Sequence, residues 1–399
     1  MSIKMSTSHI WFTPEGIEDL LPPQAEKLEF YRRELVDLFA AAGYALVIPP
    51  VAEYADSLLT GTGQDLAADT CQFVDQISGR QMGVRADMTP QIARIAASRL
   101  HAAPEHPLRL SYVGEVLRAR SNTTTGSRSP YQVGVELFNQ PGVAGDMEVL
   151  LLMLEAMEAL GLAPVTLSLG HAGLIKTVIA ESGLNEMQAE QLLDLLQRKA
   201  RPEYTQWLHD NLTSLPYSLQ AFFTDWLMLT GEAPQVIDQA KALLMELPDA
   251  LRQIEALEQV VELLQGAMPD VRLFADLGEI RGYQYHTGMI FSTYVVNEHD
   301  QALPVAQGGR YDGMGEEFGM ALSATGFSLD LRAMLDVLPP VERMGERVWA
   351  PMEADIALHD KVRDLRAEGY EVIWCRQLPT AGACLVKIDG EWVVKDDQA

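Results

Sequence analysis

A chain of 399 residues exceeds what one hydrophobic core usually holds, so we expect one large domain with smaller appendages. The formal net charge of −26 argues against a surface that binds a nucleic-acid backbone, and any anionic ligand must find a local basic pocket. Three scattered cysteines exclude a disulfide framework or a cysteine metal cluster, and there is neither a signal-peptide core nor an apolar run of membrane-spanning length, so we expect a cytoplasmic protein.

The N-terminal region predicts a helix followed by an edge strand. Apolar residues at helical spacing indicate a helix over residues 24–42, which Gly43 ends. Residues 44–51 are strand-like but contain Pro49 and Pro50, and each proline removes a donor from a strand ladder. We therefore expect this strand at the edge of a sheet or at an interface.

A polar cluster follows at a predicted junction between a strand and a helix. Two short strands are predicted at 71–74 and 82–85, and a helix begins near Pro90. Asp87 and Thr89 lie at the junction, where side chains commonly cap a helix. Capping is therefore one interpretation of both residues, and ligand binding is the other.

Residues 108–139 predict a long β-hairpin, because both arms alternate apolar and polar residues. Three arginines lie near its polar turn, namely Arg118, Arg120 and Arg128. Gln132 and Glu136 are four residues apart on the second arm, so they point to one face of the sheet. An amide and a carboxylate on a sheet floor, with arginines at the rim, suit a small zwitterion; the alternative is a solvated charged face.

The remaining chain alternates between helical and strand-like segments. We predict a helix at 145–160, strands at 165–169, 271–275 and 289–296, and a strand that passes into a helix over 323–338. Between 174 and 269 the apolar spacing is helical with no convincing strand, which indicates a helical insertion. His171 follows a strand and is assigned no role. Gly308 and Gly309 allow backbone to approach a ligand or a neighbouring strand closely.

The tail after Pro339 carries one predicted helix, at 360–368, and a strand at 371–375. We expect it to be too small to hold much of a core of its own. Its balance of charge is acidic, so it is poorly suited to phosphate contacts.

The order of these segments resembles the class II aminoacyl-tRNA synthetase fold, and within it the histidyl-tRNA synthetase branch, over roughly residues 8–340. The Pro50 strand resembles the dimer-forming first motif, and the hairpin resembles the second. The segments EIRGYQYHTGMIF and QGGRYDG resemble two histidine-specific motifs, and ATGFSLDLRA lies where the third motif belongs. The resemblance implies an α+β fold, with an antiparallel sheet flanked by helices.

The same resemblance implies four parts of the chain. They are a first part of the synthetase-like core (1–173), a helical insertion (174–269), a second part of the core (270–340), and a small α/β remnant that replaces the anticodon-binding domain (341–399). Because this remnant is short and acidic, we expect no tRNA substrate.

Departures from the family pattern argue against adenylate chemistry. Arg118 matches the second-motif arginine, but Arg120 stands where an acidic residue is expected. In the third motif Ala333 replaces the arginine, and Asp330 adds a carboxylate near the expected phosphate position. Losing one preorganised contact to a transition state costs about 3–4 kcal/mol, and the carboxylate adds repulsion. We therefore expect adenylation to be crippled.

The amino-acid pocket of the family is largely retained. The resemblance implies three groups of histidine-binding residues: Asp87, Thr89, Gln132 and Glu136 around the ammonium; Arg118 and Arg281 at the carboxylate; Tyr285 and His286 near the imidazole. These groups have suitable chemistry, because carboxylates accept from an ammonium and arginine offers two donors to a carboxylate. His286 and Gln284 depart from the Tyr and Asp that are usual in the family, so the pocket near the ring differs.

A chain that keeps this pocket without ATP chemistry resembles the regulatory-subunit family of ATP phosphoribosyltransferase, which is paralogous to histidyl-tRNA synthetase. That resemblance implies a non-catalytic chain that activates a short catalytic subunit in the first step of histidine biosynthesis and transmits feedback inhibition by histidine. It further implies a homodimer through the Pro50 region within a hetero-octamer, and no cofactor, metal or membrane. The alternatives are a divergent active histidyl-tRNA synthetase, an enzyme that activates an amino acid for another acceptor, and a scaffold with a vestigial pocket.

Overall fold

The structure, a computed structural model, describes residues 12–60, 66–100, 106–120, 127–280, 285–297, 299–313, 316–341 and 345–396. The chain forms two compact units, Met1–Pro339 and Pro340–Ala399. None of the helices in these ranges is both long enough and apolar enough to cross a membrane.

The larger unit contains ten α-helices and twelve strands among the described residues. The helices are α1 (Gln24–Ala41), α2 (Ala55–Leu58), α3 (Thr89–Ser98), α4 (Val143–Ala159), α5 (Ala172–Ser182), α6 (Glu186–Gln197), α7 (Arg201–Asn211), α8 (Tyr217–Asp225), α9 (Ala233–Leu243) and α10 (Pro248–Ala267). The strands are β1 (Ala45–Val47), β2 (Ala52–Tyr54), β3 (Gln72–Val74), β4 (Gln81–Val84), β5 (Leu108–Glu115), β6 (Tyr131–Phe138), β7 (Thr166–His171), β8 (Thr230–Glu232), β9 (Arg272–Asp276), β10 (Met289–Val296), β11 (Ala302–Arg310) and β12 (Ala324–Asp330).

A nine-stranded sheet organises this unit, in the order β1-β5-β6-β12-β11-β10-β7-β9-β8. The pairs β1 with β5 and β7 with β9 are parallel, and all other neighbours are antiparallel. The predicted hairpin is confirmed as β5 and β6, which pair from Leu108 with Phe138 to Glu115 with Tyr131. The predicted edge strand is also confirmed, because β1 pairs with β5 alone among the described strands and precedes Pro49.

Helices cover the sheet through the apolar faces that their spacing predicts. The buried residues of α1 are Leu28, Tyr31, Leu35 and Phe39. The Phe39 ring meets Phe327 of β12 edge to face, with the ring centroids 5.8 Å apart. Helix α4 is buried along most of its length, and a left-handed Gly161 (φ +68°) follows its end.

A three-stranded sheet in the order β2-β4-β3 leads into α3. The strands near 71–74 and 82–85 and the helix near Pro90 are confirmed, with Pro90 in the first turn of α3, where a missing N–H costs no helical hydrogen bond.

Two local expectations within this unit are wrong. Residues 174–269 are mostly helical, yet Thr230–Glu232 forms the edge strand β8 beside β9. The strand over 324–330 is present, but residues 331–337 form successive turns instead of a helix. Lys27 Nζ donates to two carbonyls in this region, those of Leu335 (2.6 Å) and Leu338 (2.5 Å). The predicted subdivision of this unit at residues 173 and 269 stays a prediction.

The smaller unit has a core of its own, contrary to our expectation. It contains α11 (Ile356–Ala367) and a four-stranded sheet of β13 (Arg347–Pro351), β14 (Glu371–Cys375), β15 (Ala383–Ile388) and β16 (Glu391–Lys395), in the order β14-β13-β15-β16. The buried cluster includes Val348, Leu358, Val362, Leu385 and Trp392. The sequence patterns did not predict β13, β15 and β16. Without these strands, the apolar face of α11 had no predicted partner, which is why no core was expected.

Candidate functional site

A cavity of about 150 Å³ lies over the middle of the large sheet, against β6, β7, β10, β11 and β12. Polar and aromatic side chains and closely packed glycines form much of its wall: Asp87, Thr89, Glu136, Glu279, Tyr285, His286, Gln307, Tyr311, Gly308, Gly309 and Gly326. The cavity therefore has the concave shape and the few convergent polar groups that are typical of a small-molecule site.

Glu136 of β6 is buried at the floor of this cavity. Its carboxylate accepts hydrogen bonds from the Tyr112 hydroxyl at 3.2 Å and from the Tyr311 hydroxyl. Burial raises the pKa of Glu136 to about 8, because the charged form loses its hydration. Burial likewise raises the pKa of both tyrosines. A cationic ligand in the cavity would therefore meet a carboxyl group that ionises more readily once the positive charge arrives.

Asp87 and Thr89 enter the wall from the start of α3. Neither residue is the N-cap of α3, which is Met88, but Thr89 N donates to Asp87 Oδ1 at 2.8 Å, and both Asp87 and Thr89 line the cavity. The Thr89 and Tyr112 hydroxyls share a hydrogen bond at 3.3 Å. Asp87 therefore stands as a second carboxylate near Glu136, and like charge between them contributes to the raised pKa of Glu136.

Gln132 supports this wall from behind. Its Oε1 accepts from Met88 N at 2.9 Å, and its Nε2 donates to Asp87 Oδ2 at 3.1 Å. Gln132 itself is set back from the cavity surface, unlike Glu136 on the same strand. Its observed contacts therefore orient Asp87.

Glycines bring the strands of the floor close to the functional side chains. Gly326 pairs with Glu136 across β12 and β6, and a side chain there would overlap the Glu136 carboxylate. A Cβ at Gly309 of β11 would lie 2.8 Å from the His286 ring. A Cβ at Gly308 would overlap the carbonyl oxygen of Gly326 on β12, so the predicted close approach to a neighbouring strand is confirmed, on a strand β11 that the sequence patterns did not predict.

Tyr285 and His286 lie together at one side of the cavity. Their ring centroids are 4.2 Å apart, and the His286 ring lies 6.5 Å from that of Tyr311. His286 is buried and Tyr285 is partly exposed. Arg281 and Gln284, which precede them, lie outside the described residues.

Arg118 is not among the residues that line the cavity, and it lies in the turn region of the hairpin. Its N–H donates to the carbonyl of Arg128 at 2.8 Å, and its own carbonyl accepts from Arg128 Nε at 3.0 Å. Burial raises the pKa of the Asp330 carboxyl group. The positive charge of Arg118 opposes this shift by favouring the ionised form. The predicted contact of Arg118 with a ligand carboxylate stays a prediction.

Asp330 closes the end of β12. Its Oδ1 accepts hydrogen bonds from the backbone N–H groups of Tyr131 (3.0 Å), Arg332 (3.0 Å) and Ala333 (3.3 Å). The Asp330 carboxylate therefore satisfies three backbone donors around the end of β12.

Sequence reasoning missed Tyr112, Tyr311 and Glu279. Tyr112 pairs with Gly134 and lies on the same face of β5 as Leu110, whose partner is Glu136, so a phenol diagonal to a carboxylate in the predicted hairpin is a usable signal. Tyr311 directly follows the glycine-rich strand in QGGRYDG, so its place in that motif could have identified it. His171 has a structural role: its Nδ1 accepts from Leu174 N at 3.0 Å, and burial lowers its pKa to about 4.

Comparisons with known proteins match this arrangement over nearly the whole chain. The family model described as "Histidyl-tRNA synthetase" matches residues 16–334, and the one described as "ATP phosphoribosyltransferase subunit HisZ C-terminal domain" matches residues 345–395. The ATP phosphoribosyltransferase regulatory subunit of Hydrogenovibrio crunogenus is 49% identical over 361 residues, which cover 90% of this chain and 91% of that protein.

Solved structures agree with these matches. A Bacillus halodurans protein titled as an ATP phosphoribosyltransferase regulatory subunit/histidyl-tRNA synthetase superposes with a TM-score of 0.78 at 25% identity, covering 93% of this chain and 94% of that one. A chain of the ATP phosphoribosyl transferase complex from Thermotoga maritima shares the fold, with a TM-score of 0.56 at 21% identity, covering 78% of this chain and 98% of that one.

These matches confirm the predicted α+β fold class and the predicted regulatory function, in preference to an active synthetase. The chain therefore belongs to the family of ATP phosphoribosyltransferase regulatory subunits, whose fold is that of histidyl-tRNA synthetase.

Proposed function

We propose that this chain binds histidine in the cavity above β6 and transmits its presence to a short catalytic subunit of ATP phosphoribosyltransferase, which forms phosphoribosyl-ATP. The observation that carries the proposal is the buried Glu136 carboxyl at the cavity floor, with Asp87 and Thr89 beside it. Two carboxylates and a hydroxyl provide acceptors for an ammonium group. Tyr285 and His286 are proposed to contact the imidazole ring, and Arg118 and Arg281 to hold the carboxylate.

Assembly with a catalytic subunit has support from the relatives. The Thermotoga maritima structure bears the name of a complex, and the Hydrogenovibrio crunogenus relative bears the name of a regulatory subunit. Histidine must favour one conformation of such an assembly over another, because a ligand with equal affinity for two states shifts neither. We infer that activation and feedback inhibition both pass through this chain, in a hetero-octamer that works in the cytoplasm. The three cysteines are free thiols, which suits a reducing compartment.

The deciding experiment measures the rate of phosphoribosyl-ATP formation by the short catalytic subunit from the same source. It is run with and without this chain, and each mixture with and without histidine. We expect this chain to raise the rate and to make it sensitive to histidine. No change in rate would contradict the proposal, and histidine-dependent exchange of pyrophosphate into ATP would then restore the synthetase alternative.

We further propose that this chain forms a homodimer through the edge strand β1 and the residues after it. Leu46, Ile48 and Val51 expose apolar side chains there, and Ile48 is 78% exposed. Sedimentation equilibrium of the isolated chain should give twice the monomer mass, and Ile48→Glu should shift the mass toward the monomer. Met187→Glu, at a similarly exposed position on α6, is the control and should leave the dimer intact.

Finally, we propose that tRNA is not a substrate. The C-terminal unit folds around its own small core but is short and acidic, so it offers little cation density to a phosphate backbone. Binding of a histidine tRNA at moderate salt, measured by filter retention, should stay at the background level. Saturable retention above that level would contradict the proposal.

A further inference from the structure

Residues 285–288, called the cavity segment below, are hydrogen-bonded to helix α5. Lys176 Nζ, on α5, donates to the main-chain carbonyl of His286 at 2.7 Å. The backbone N–H of Ala172, at the start of the same helix, donates to the carbonyl of Gly288 at 2.8 Å. The two contacts hold the cavity segment at His286 and at Gly288. Lys176 is more than one hundred positions earlier in the chain.

The packing between this segment and α5 is close. A Cβ at Gly173 would lie 2.5 Å from the carbonyl oxygen of Thr287, so the helix and the segment touch backbone to backbone. On its other side the segment is bonded to β11 and the residues after it: Thr287 N donates to the Arg310 carbonyl at 2.8 Å, and Asp312 N donates to the Thr287 hydroxyl at 2.8 Å. A shift of the segment therefore requires a shift of α5 or the loss of several hydrogen bonds.

Helix α5 is in turn bonded to the long helix α10. Gln253 Nε2 of α10 donates to the Thr177 hydroxyl of α5 at 2.7 Å, and both side chains are partly buried. Thr177 is the neighbour of Lys176, so one turn of α5 contacts the cavity segment and α10 together. Two hydrogen bonds made by adjacent residues of α5 thus link the cavity wall to helix α10.

We propose that Lys176 is a positioning residue for the ligand cavity. We further propose that α5, through Lys176 and Thr177, couples occupancy of the cavity to helix α10. This inference rests on the proposed histidine function and deepens it, because it names the element that carries the signal away from the cavity. An ammonium-to-carbonyl hydrogen bond is stronger than a neutral one, so it holds the backbone that carries the Tyr285 and His286 rings.

The test of positioning is histidine titration of the full chain by isothermal calorimetry. Lys176→Met keeps the alkyl stem and removes the donor, and we expect roughly tenfold weaker histidine binding. Lys176→Arg restores a cationic donor and should bind within about twofold of the wild type. The matched control is Lys241→Met, which breaks a lysine ion pair with Glu258 between α9 and α10, away from the cavity, and should leave histidine affinity unchanged.

Outcomes of this titration separate the inference from the function beneath it. A wild-type chain without saturable histidine binding overturns the proposed function, and the positioning role with it. Wild-type binding together with an unaltered affinity in Lys176→Met overturns the positioning role alone. Equal losses in Lys176→Met and Lys176→Arg overturn it as well, because a donor would then not be the property that counts. If Lys176→Met lacks a cooperative thermal transition, Lys176→Leu, which also removes the donor, takes its place with the same expected result.

The test of coupling uses Thr177→Val, which keeps the shape of the side chain and removes the acceptor for Gln253. We expect unchanged histidine affinity in the isolated chain. In the complex with the catalytic subunit, the histidine concentration for half-inhibition should rise at least about threefold. Half-inhibition at the wild-type concentration would overturn the coupling through α5.

Discussion

Gly326 of β12 faces Glu136 of β6 across an antiparallel strand pair, and the glycine leaves the space that the Glu136 carboxylate occupies. A methyl group at Gly326 would overlap both Oε2 of Glu136 and the carbonyl oxygen of Val135. The absence of a side chain on one strand therefore allows a buried carboxyl group on its neighbour. Both residues line the floor of the cavity.

Gly326→Ala should displace the Glu136 carboxyl and destabilise the larger unit. Overpacking a closely fitted site costs about 1–3 kcal/mol, so the free energy of unfolding in urea should fall by that amount and histidine binding should weaken. Gly266→Ala is the matched control, since Gly266 is exposed near the end of α10 and a methyl group there would meet nothing within 4 Å. That control should be neutral or stabilising, by up to about 1 kcal/mol. Similar effects from both substitutions would contradict the argument.

Glu136→Ala should remove a carboxylate partner of the ligand ammonium. If the two charges form a buried pair, histidine binding weakens by roughly 2–5 kcal/mol, which calorimetric titration measures directly. Glu262→Ala, at an exposed position of α10, serves as the control and should bind histidine normally. An unaltered affinity in Glu136→Ala would show that Glu136 does not contact the ligand.

Glu136 should also give the unliganded protein a characteristic dependence of stability on pH. Its pKa is about 8 in the folded chain and has the ordinary value of 4.5 when unfolded. Between these values the folded chain holds a proton that the unfolded chain releases, so the contribution of Glu136 to stability is fully present below pH 4.5 and is lost as the pH rises toward 8. The slope approaches about 1.4 kcal/mol per pH unit at most.

Glu136→Gln removes this titration and isolates it from all others. The unfolding free energies of the wild type and of Glu136→Gln are measured in urea at several pH values. Relative to the variant, the wild type should lose stability from about pH 5 to about pH 8. Two parallel profiles would show that Glu136 titrates near its ordinary pKa. Added histidine should reverse the trend, because a bound ammonium favours the ionised carboxyl group.

Asp146 of α4 and Arg310 of β11 form a buried ion pair beneath the cavity segment. Arg310 Nε lies 3.0 Å from Asp146 Oδ1, and the two side chains are 7% (Arg310) and 9% (Asp146) exposed. Asp146→Asn removes the buried carboxylate and leaves Arg310 with the half-exposed Asp312, 3.1 Å away, as its carboxylate partner, so it should cost up to about 3–5 kcal/mol of stability in urea unfolding. Glu232→Gln, which breaks an exposed pair with Arg272 in the same unit, should cost no more than about 1 kcal/mol. A small loss in Asp146→Asn would mean that the pair contributes little.

The elements with a local cause were predictable from the sequence. The spacing of apolar residues predicted α1 and α4, the alternation in both arms predicted β5 and β6, and two prolines placed β1 at an edge. Gln132 and Glu136 were expected on one face of the hairpin because strand geometry fixes that relation within a single segment. The family resemblance added Asp87, Thr89, Tyr285 and His286, which the structure brings to one cavity together with Glu136.

Only the tertiary structure decided what surrounds Glu136. The sequence determined that a carboxylate stands on β6, but its pKa depends on burial and on Tyr311, which lies 175 positions later in the chain. The core of the C-terminal unit was decided in the same way, by the pairing of β13 with β14 and β15. Local patterns record the conformation that a segment prefers, whereas burial and partners arise from contacts between distant segments, and these contacts form only when the chain folds.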